Sequence, residues 1–107
     1  MVVRRFDVFR NPSLASMKKV PYFLVVQSEL LDEMDTCVVL PLARKQAAKG
    51  SAAARLNPEF QVDNTCVVQL TQLIAAVPVS LLRKYVVNLE PQREAIVRAI
   101  DFLFDGI

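Results

Sequence analysis

A chain of 107 residues with 53% apolar and 22% charged side chains has enough material for one folded core and too little charge for a disordered polymer. Its formal net charge of +2 gives no basis for reading a nucleic-acid binder. Histidine is absent, which removes the commonest general base and transition-metal ligand, and with them nucleophile–histidine catalysis. The expectation is one domain spanning 1–107, with no cofactor and no metal site. The opening Met1-Val2-Val3-Arg4-Arg5 meets charge after two valines, so it lacks the apolar core of a secretory leader. No apolar run approaches the ~18–20 residues that span a bilayer. These features point to a cytoplasmic protein without a membrane partner. Cys37 and Cys66 sit in the apolar runs TCVVL and TCVVQL and read as small buried hydrophobes.

In chain order, VVRRFDVF (2–9) alternates Val3, Arg5 and Asp7 between strand-forming residues and predicts a first strand. NPSLASMKK (11–19) is a polar loop with Pro12 and two lysines. PYFLVVQS (21–28) predicts a buried strand opened by Pro21. ELLDEMD (29–35) is a charged connector carrying Leu30 and Leu31 side by side. TCVVLPL (36–42) predicts a third strand stopped by Pro41. The stretch 43–55, ARKQAAKGSAAAR, carries Arg44, Lys45, Lys49 and Arg55 around Gly50 and no apolar residue larger than alanine. It reads as a mobile, basic, exposed segment rather than as two helical turns broken at the glycine. PEFQV and TCVVQL flank Asp63-Asn64, a two-residue hairpin turn. AAVPVSLL (75–82) is extended, interrupted by Pro78 and followed by about one helical turn.

The remainder predicts an amphipathic helix with Pro91 at its first position. Ile96, Ala99, Ile100, Leu103, Phe104 and Ile107 draw one apolar stripe, and Glu94 precedes Arg98 by four residues, the favourable order for an ion pair. Asp101 and Asp105 break the pattern, since acids in a last turn oppose the helix dipole. Strands first and one helix last predict a mainly β, α+β architecture: a small barrel-like sheet capped by a C-terminal helix.

FLVVQSELLDE, VVLPLA, AVPVSLL and AIDFLFDGI, in that order and spacing, resemble the CcdB-type toxins, and the likeness runs from Phe6 to Ile107. The resemblance implies an SH3-like barrel of the CcdB/Kid/MazF type and a homodimer. It implies the toxin of a type II toxin–antitoxin pair, a poison of type II topoisomerase rather than an enzyme. Such a toxin binds the A subunit of DNA gyrase and traps gyrase on cleaved DNA. A CcdA-type antitoxin wraps the toxin and releases it, and the pair represses its own operon, so DNA is met only through the antitoxin complex. Carried over by position, the resemblance assigns gyrase contacts to Leu30, Leu31, Asp101, Phe104, Gly106 and Ile107. The position before Gly106-Ile107, a tryptophan in well-known members, is Asp105 here. A carboxylate cannot stack on a guanidinium, but it can accept hydrogen bonds from one. The basic residues Arg44, Lys45, Lys49 and Arg55 are the expected antitoxin contacts. Two alternatives stay open: a CcdB-fold protein whose gyrase activity has drifted or been lost, and a Kid/MazF-like endoribonuclease. The absence of histidine and of a glycine-rich stretch after the first strand speaks against the second.

Overall fold

The computed structural model describes residues 2–31, 33–48 and 54–106, with the side chain of Leu30 also outside the description. It has seven strands: β1 (Asp7–Arg10), β2 (Tyr22–Val25), β3 (Thr36–Arg44), β4 (Glu59–Val62), β5 (Thr65–Gln69), β6 (Ala75–Pro78) and β7 (Tyr85–Asn88). They are followed by one helix, α1 (Arg93–Asp105). The sheet runs β4-β5-β3-β2-β1-β7, with β6 paired to β3, and every pairing is antiparallel. The architecture is the expected one: mainly β with a C-terminal helix, the sheet curled into the half-barrel of an SH3-like α+β fold.

The strand β3 changes partner along one edge. Its first half, Thr36–Val39, pairs with β6, and its last part, Leu42–Arg44, pairs with β5 on the same edge. Pro41 lies at the change of partner and does not stop the strand, contrary to the sequence expectation. Its carbonyl accepts from the Leu70 N–H at 2.9 Å. In a strand, N–H and C=O of one residue point the same way, so the donor that proline lacks faces the gap between β5 and β6. No bond to β2 is lost there.

The hairpin β4–β5 forms as expected. Asp63 and Asn64 take φ of 50° and 62°, the two left-handed positions of a type I′ turn, and Val62 pairs with Thr65. β6 and the turn Val79–Leu81 also match the expected extended piece and its helical turn. The first strand does not begin at Val2. Arg4–Asp7 closes as a turn, with the Asp7 N–H on the Arg4 carbonyl at 3.0 Å and the Arg4 N–H on Asp7 Oδ2 at 2.8 Å. Phe6 is left-handed, φ 72°, which is costly for an aromatic residue. It is held because its N–H donates to Val25 O at 2.7 Å and its carbonyl accepts from Leu89 N–H at 2.8 Å. Asn88 braces the same corner: its Nδ2 donates to Arg5 O and Asp7 Oδ1, both at 3.0 Å, and its Oδ1 accepts from the Glu90 N–H.

Strand alternation gives the sheet two apolar faces. Val8, Tyr22, Leu24, Leu40, Leu42, Phe60, Val62 and Val67 point to one side with Phe6, Leu89 and Ile96 of α1. Phe9, Val25, Cys37, Val39 and Leu82 form a second cluster on the other side. Cys37 is buried, as expected, whereas Cys66 is only half-buried, its Sγ 3.8 Å from Glu59 Oε1 at the hairpin's outer side. No described helix is long and apolar enough to cross a membrane.

Candidate functional site

The helix α1 begins at Arg93. Pro91 belongs to the short turn Glu90–Gln92 that leads into it, one step earlier than the sequence suggested. The first half of the apolar stripe is sequestered, with Ile96 and Ala99 at 0% exposure. Burial then fades: Ile100 and Leu103 are half-buried, and Phe104 is 67% exposed. The short turn Thr71–Leu73 packs against α1, and its Leu73 is 54% exposed. That residue adds apolar surface beside the helix, and nothing in the local pattern TQL marks it in advance.

Polar groups along α1 divide in the same way. Glu94 and Arg98 pair at 2.6 Å as expected, both well exposed, and an exposed i,i+4 pair contributes about 0.3–0.5 kcal/mol. Asp101 and Asp105 are exposed, the last turn holds no basic residue, and neither acid has an ion-pair partner among the described residues. Their charges oppose the helix dipole. Gly106 ends the helix in a left-handed conformation, φ 71°, its N–H donating to Phe102 O at 3.0 Å. A Cβ there would meet open space, so glycine is required by the backbone angle and not by crowding. Asp101, Phe104, Asp105 and Gly106 are thus brought together on one exposed helix end. Ile107 lies outside the described residues.

The two connector leucines sit elsewhere. Leu30 belongs to the turn Glu29–Leu31, and Leu31 is 48% exposed. Leu31 borders a small cavity lined by Val3, Val25, Met34, Cys37 and Val79, which include members of the second apolar cluster. Within one chain, therefore, Leu31 accompanies one face of the sheet while α1 covers the other.

The expected basic segment is anchored at both described flanks. Arg44 Nε donates to Lys18 O at 2.9 Å. Lys45 pairs with Glu59 at 3.1 Å, a hydrogen bond and charge that raise the ammonium pKa above its usual value. The Arg55 guanidinium lies 4.5 Å from the centre of the Phe102 ring, a cation–π contact that ties the segment's far flank to α1. Lys49 and residues 50–53 lie outside the described residues, and with them the expected mobility. Phe102 is a residue the sequence reading missed: it falls off the apolar stripe, is half-buried and lies under the Arg55 guanidinium.

A cleft of about 570 Å³ is lined by Arg4, Arg5, Glu29, Tyr85 and Glu90 beside Asp7 and Asn88. Several of its groups hold the N-terminal turn: Arg5 Nε donates to Val26 O at 3.1 Å, the Arg5 N–H to Glu29 Oε1 at 3.3 Å, and Asp7 accepts from the Arg4 N–H and from Asn88. The end of α1 is an exposed surface that offers an aromatic ring, two carboxylates and a capping glycine. Residues 5–106, nearly the whole chain, match the family model described as CcdB protein, and the chain belongs to this family of toxin–antitoxin toxins.

Proposed function

We propose that the protein poisons DNA gyrase by docking the exposed end of α1 on the gyrase A subunit and trapping the enzyme on cleaved DNA. The observation that supports this most is the exposed, unpaired end of α1: Phe104 at 67% exposure beside Asp101, Asp105 and the Gly106 cap. Ile107 completes the contact, and Leu30 and Leu31 join it from the connector. These two parts of the surface lie on different faces of one chain, so a homodimer, in which one protomer's connector is presented beside its partner's helix end, suits the proposal. The half-buried Ile100 and Leu103 offer apolar area for such an interface. Sedimentation at micromolar concentration checks the dimer, and a stable 12.0 kDa species counts against it.

In this reading the protein is a cytoplasmic binding inhibitor, one toxin domain over 1–107, and turns over no substrate. A CcdA-type antitoxin neutralises it, drawing on Arg44, Lys45, Lys49 and Arg55, and DNA is met only through that complex. Incubating the purified protein with gyrase and supercoiled plasmid tests the proposal directly. Linearised plasmid supports it. RNA cleaved without gyrase identifies a nuclease instead. Asp105 at the position of the family's tryptophan favours one second reading, a toxin whose gyrase affinity has drifted, and intact plasmid in the assay selects it.

A further inference from the structure

The hairpin β4–β5 carries a nucleophile at the edge of a cationic cleft. The cleft, of about 510 Å³, is lined by Arg44, Lys45, Gln46, Asn64, Thr65 and Cys66. That volume falls in the range of small-ligand sites. Cys66 lines it half-buried, so its sulfur is neither locked in the core nor fully in solvent. Its Sγ donates to Glu59 Oε1 at 3.8 Å, and the same oxygen pairs with Lys45 Nζ at 3.1 Å. A thiol, a carboxylate and an ammonium thus form one cluster around a shared oxygen. The fold assembles it from three elements. Register places Gln61 opposite Cys66, which sets Glu59 diagonally across from the sulfur, and Lys45 arrives directly after the end of β3.

The charge around the sulfur is positive in excess. Both acids of the hairpin are already engaged, Glu59 by Lys45 and Asp63 by Arg10. Arg44, whose Nε is held by Lys18 O at 2.9 Å, has no ion-pair partner among the described residues. Glu59 beside it holds the proton on Lys45, so the ammonium stays charged. Partly exposed cysteines in cationic surroundings are the ones that exchange with disulfides. Cys37 is the contrast within the same chain: 3% exposed, in a cluster of apolar side chains alone.

We propose that Cys66 is a site of reversible thiolation by a small anionic thiol delivered as its disulfide, of the class of glutathione disulfide. The cleft holds the carboxylates of the adduct against Arg44 and Lys45 while its sulfur bonds to Cys66. In the step, the Cys66 thiol gives up its proton, which Glu59 is placed to accept and pass to solvent. The Cys66 sulfur attacks one sulfur of the reagent, a new S–S bond forms, and the reagent's own S–S bond breaks. Half of the reagent leaves as a thiolate and takes a proton from solvent, so Cys66 is oxidised and the departing half is reduced. A metal ion suits the cluster less well, since no group of three His, Cys, Asp or Glu that could hold one occurs among the described residues, and an ammonium occupies the carboxylate. The inference does not depend on the gyrase reading, since the cleft shares no residue with the end of α1.

The full chain is incubated with glutathione disulfide, which is anionic, or with cystamine, which is cationic, and the adducts are followed by intact mass and assigned by peptide mapping. The same reagents on the urea-unfolded chain give the reference, because Arg44 and Lys45 are distant from Cys66 in sequence and unfolding removes them from the sulfur. One adduct at Cys66 is expected in the folded chain, released by dithiothreitol, with Cys37 unmodified. The ratio of the glutathione disulfide rate to the cystamine rate should be roughly tenfold higher folded than unfolded, as for a cationic site drawing in an anion, and should shrink as salt is raised. Lys45→Glu, at an exposed position, should keep the thermal melt near the parent's and bring the ratio down to or below the unfolded value. Equal ratios in the folded and unfolded chains overturn the proposal, and so does a ratio that Lys45→Glu leaves unchanged. A folded chain that forms no adduct at Cys66 while the unfolded chain does also overturns it, as does a product in which two copies are joined through Cys66 in place of the small adduct.

Discussion

Two truncations on the same helix, Ile96→Ala and Phe104→Ala, should have opposite consequences. Ile96 is 0% exposed and joins the main apolar cluster with Phe6, Leu24, Leu40 and Leu89. Removing its outer carbons leaves a cavity under α1, which costs about 2–5 kcal/mol in comparable cores. Small domains have roughly 5–15 kcal/mol in all, and at about 4–8 °C per kcal/mol the melting point should fall by roughly 8–40 °C. Phe104 is 67% exposed, so its truncation returns little area to water. The cost should stay within about 0.5 kcal/mol, as for surface substitutions. In the plasmid assay the order reverses. Phe104→Ala should lose linearisation while staying folded, and Ile96→Ala should retain it at temperatures where it remains folded. Urea titration at one fixed protein concentration, followed by far-ultraviolet dichroism, measures the stabilities; the concentration must match because a dimer's stability depends on it. A Phe104→Ala variant destabilised as much as Ile96→Ala would refute the division. Phe104 would then be buried in the assembled protein, and its effect on gyrase would be a folding effect.

Asp105→Asn should weaken gyrase binding by about 2–5 kcal/mol if the carboxylate meets a desolvated guanidinium, while Asp105→Trp should poison at least as well as the parent; pull-down with the A subunit reads both. Deleting Ile107 should abolish linearisation and spare antitoxin binding, and poisoning that survives the deletion removes the helix-end site. Asn64→Ala, at φ 62°, should cost about 1–2 kcal/mol by thermal melt, since alanine resists the left-handed conformation. Burial raises the Cys37 thiol pKa above its usual 9.0, so folding favours the protonated form; stability should be full below about pH 9 and fall as pH rises through the raised value, by urea titration across pH. In the same preparation a maleimide should label half-buried Cys66 well before Cys37.

Local chemistry explains which elements the sequence announced. The Asp63-Asn64 turn shows because both residues tolerate positive φ and both flanks alternate. The helix α1 shows because its stripe has a strict period. What stayed hidden depends on partners far along the chain. Pro41 looks like a strand end until β5 and β6 share one edge of β3 and leave it in the gap. Phe6 looks like strand until the Val25 and Leu89 backbones clamp it left-handed. β7, Tyr85–Asn88, is short and lies in RKYVVNLE, where no turn signal isolates it, so only its pairing with β1 reveals it. At the candidate site, the exposed helix end was legible as two acids breaking a pattern. The placement of Leu31 on the opposite sheet face was not, because it depends on which way the connector leaves β2.

The fading burial along α1 also bears on how a helix end with misplaced acids can serve as a surface. Ile96 and Ala99 are fully buried, so the helix is fixed to the sheet well before its last turn. From Ile96 to Phe104 is eight residues, about 12 Å of helix at 1.5 Å each. Over that length the backbone bonds carry the direction set by the buried anchor, and the Arg55 contact with Phe102 adds a lateral tie close to the end. Gly106 then turns the chain at a defined angle. Asp101 and Asp105 can therefore oppose the dipole without melting the turn that carries them, since the cost of each is about 0.3–1 kcal/mol against a helix secured elsewhere. A surface prepared in this way loses little conformational freedom on binding, so more of its contact energy appears as affinity. Repairing both acids for local stability would gain roughly 0.6–2 kcal/mol and remove the carboxylates from the exposed end of α1.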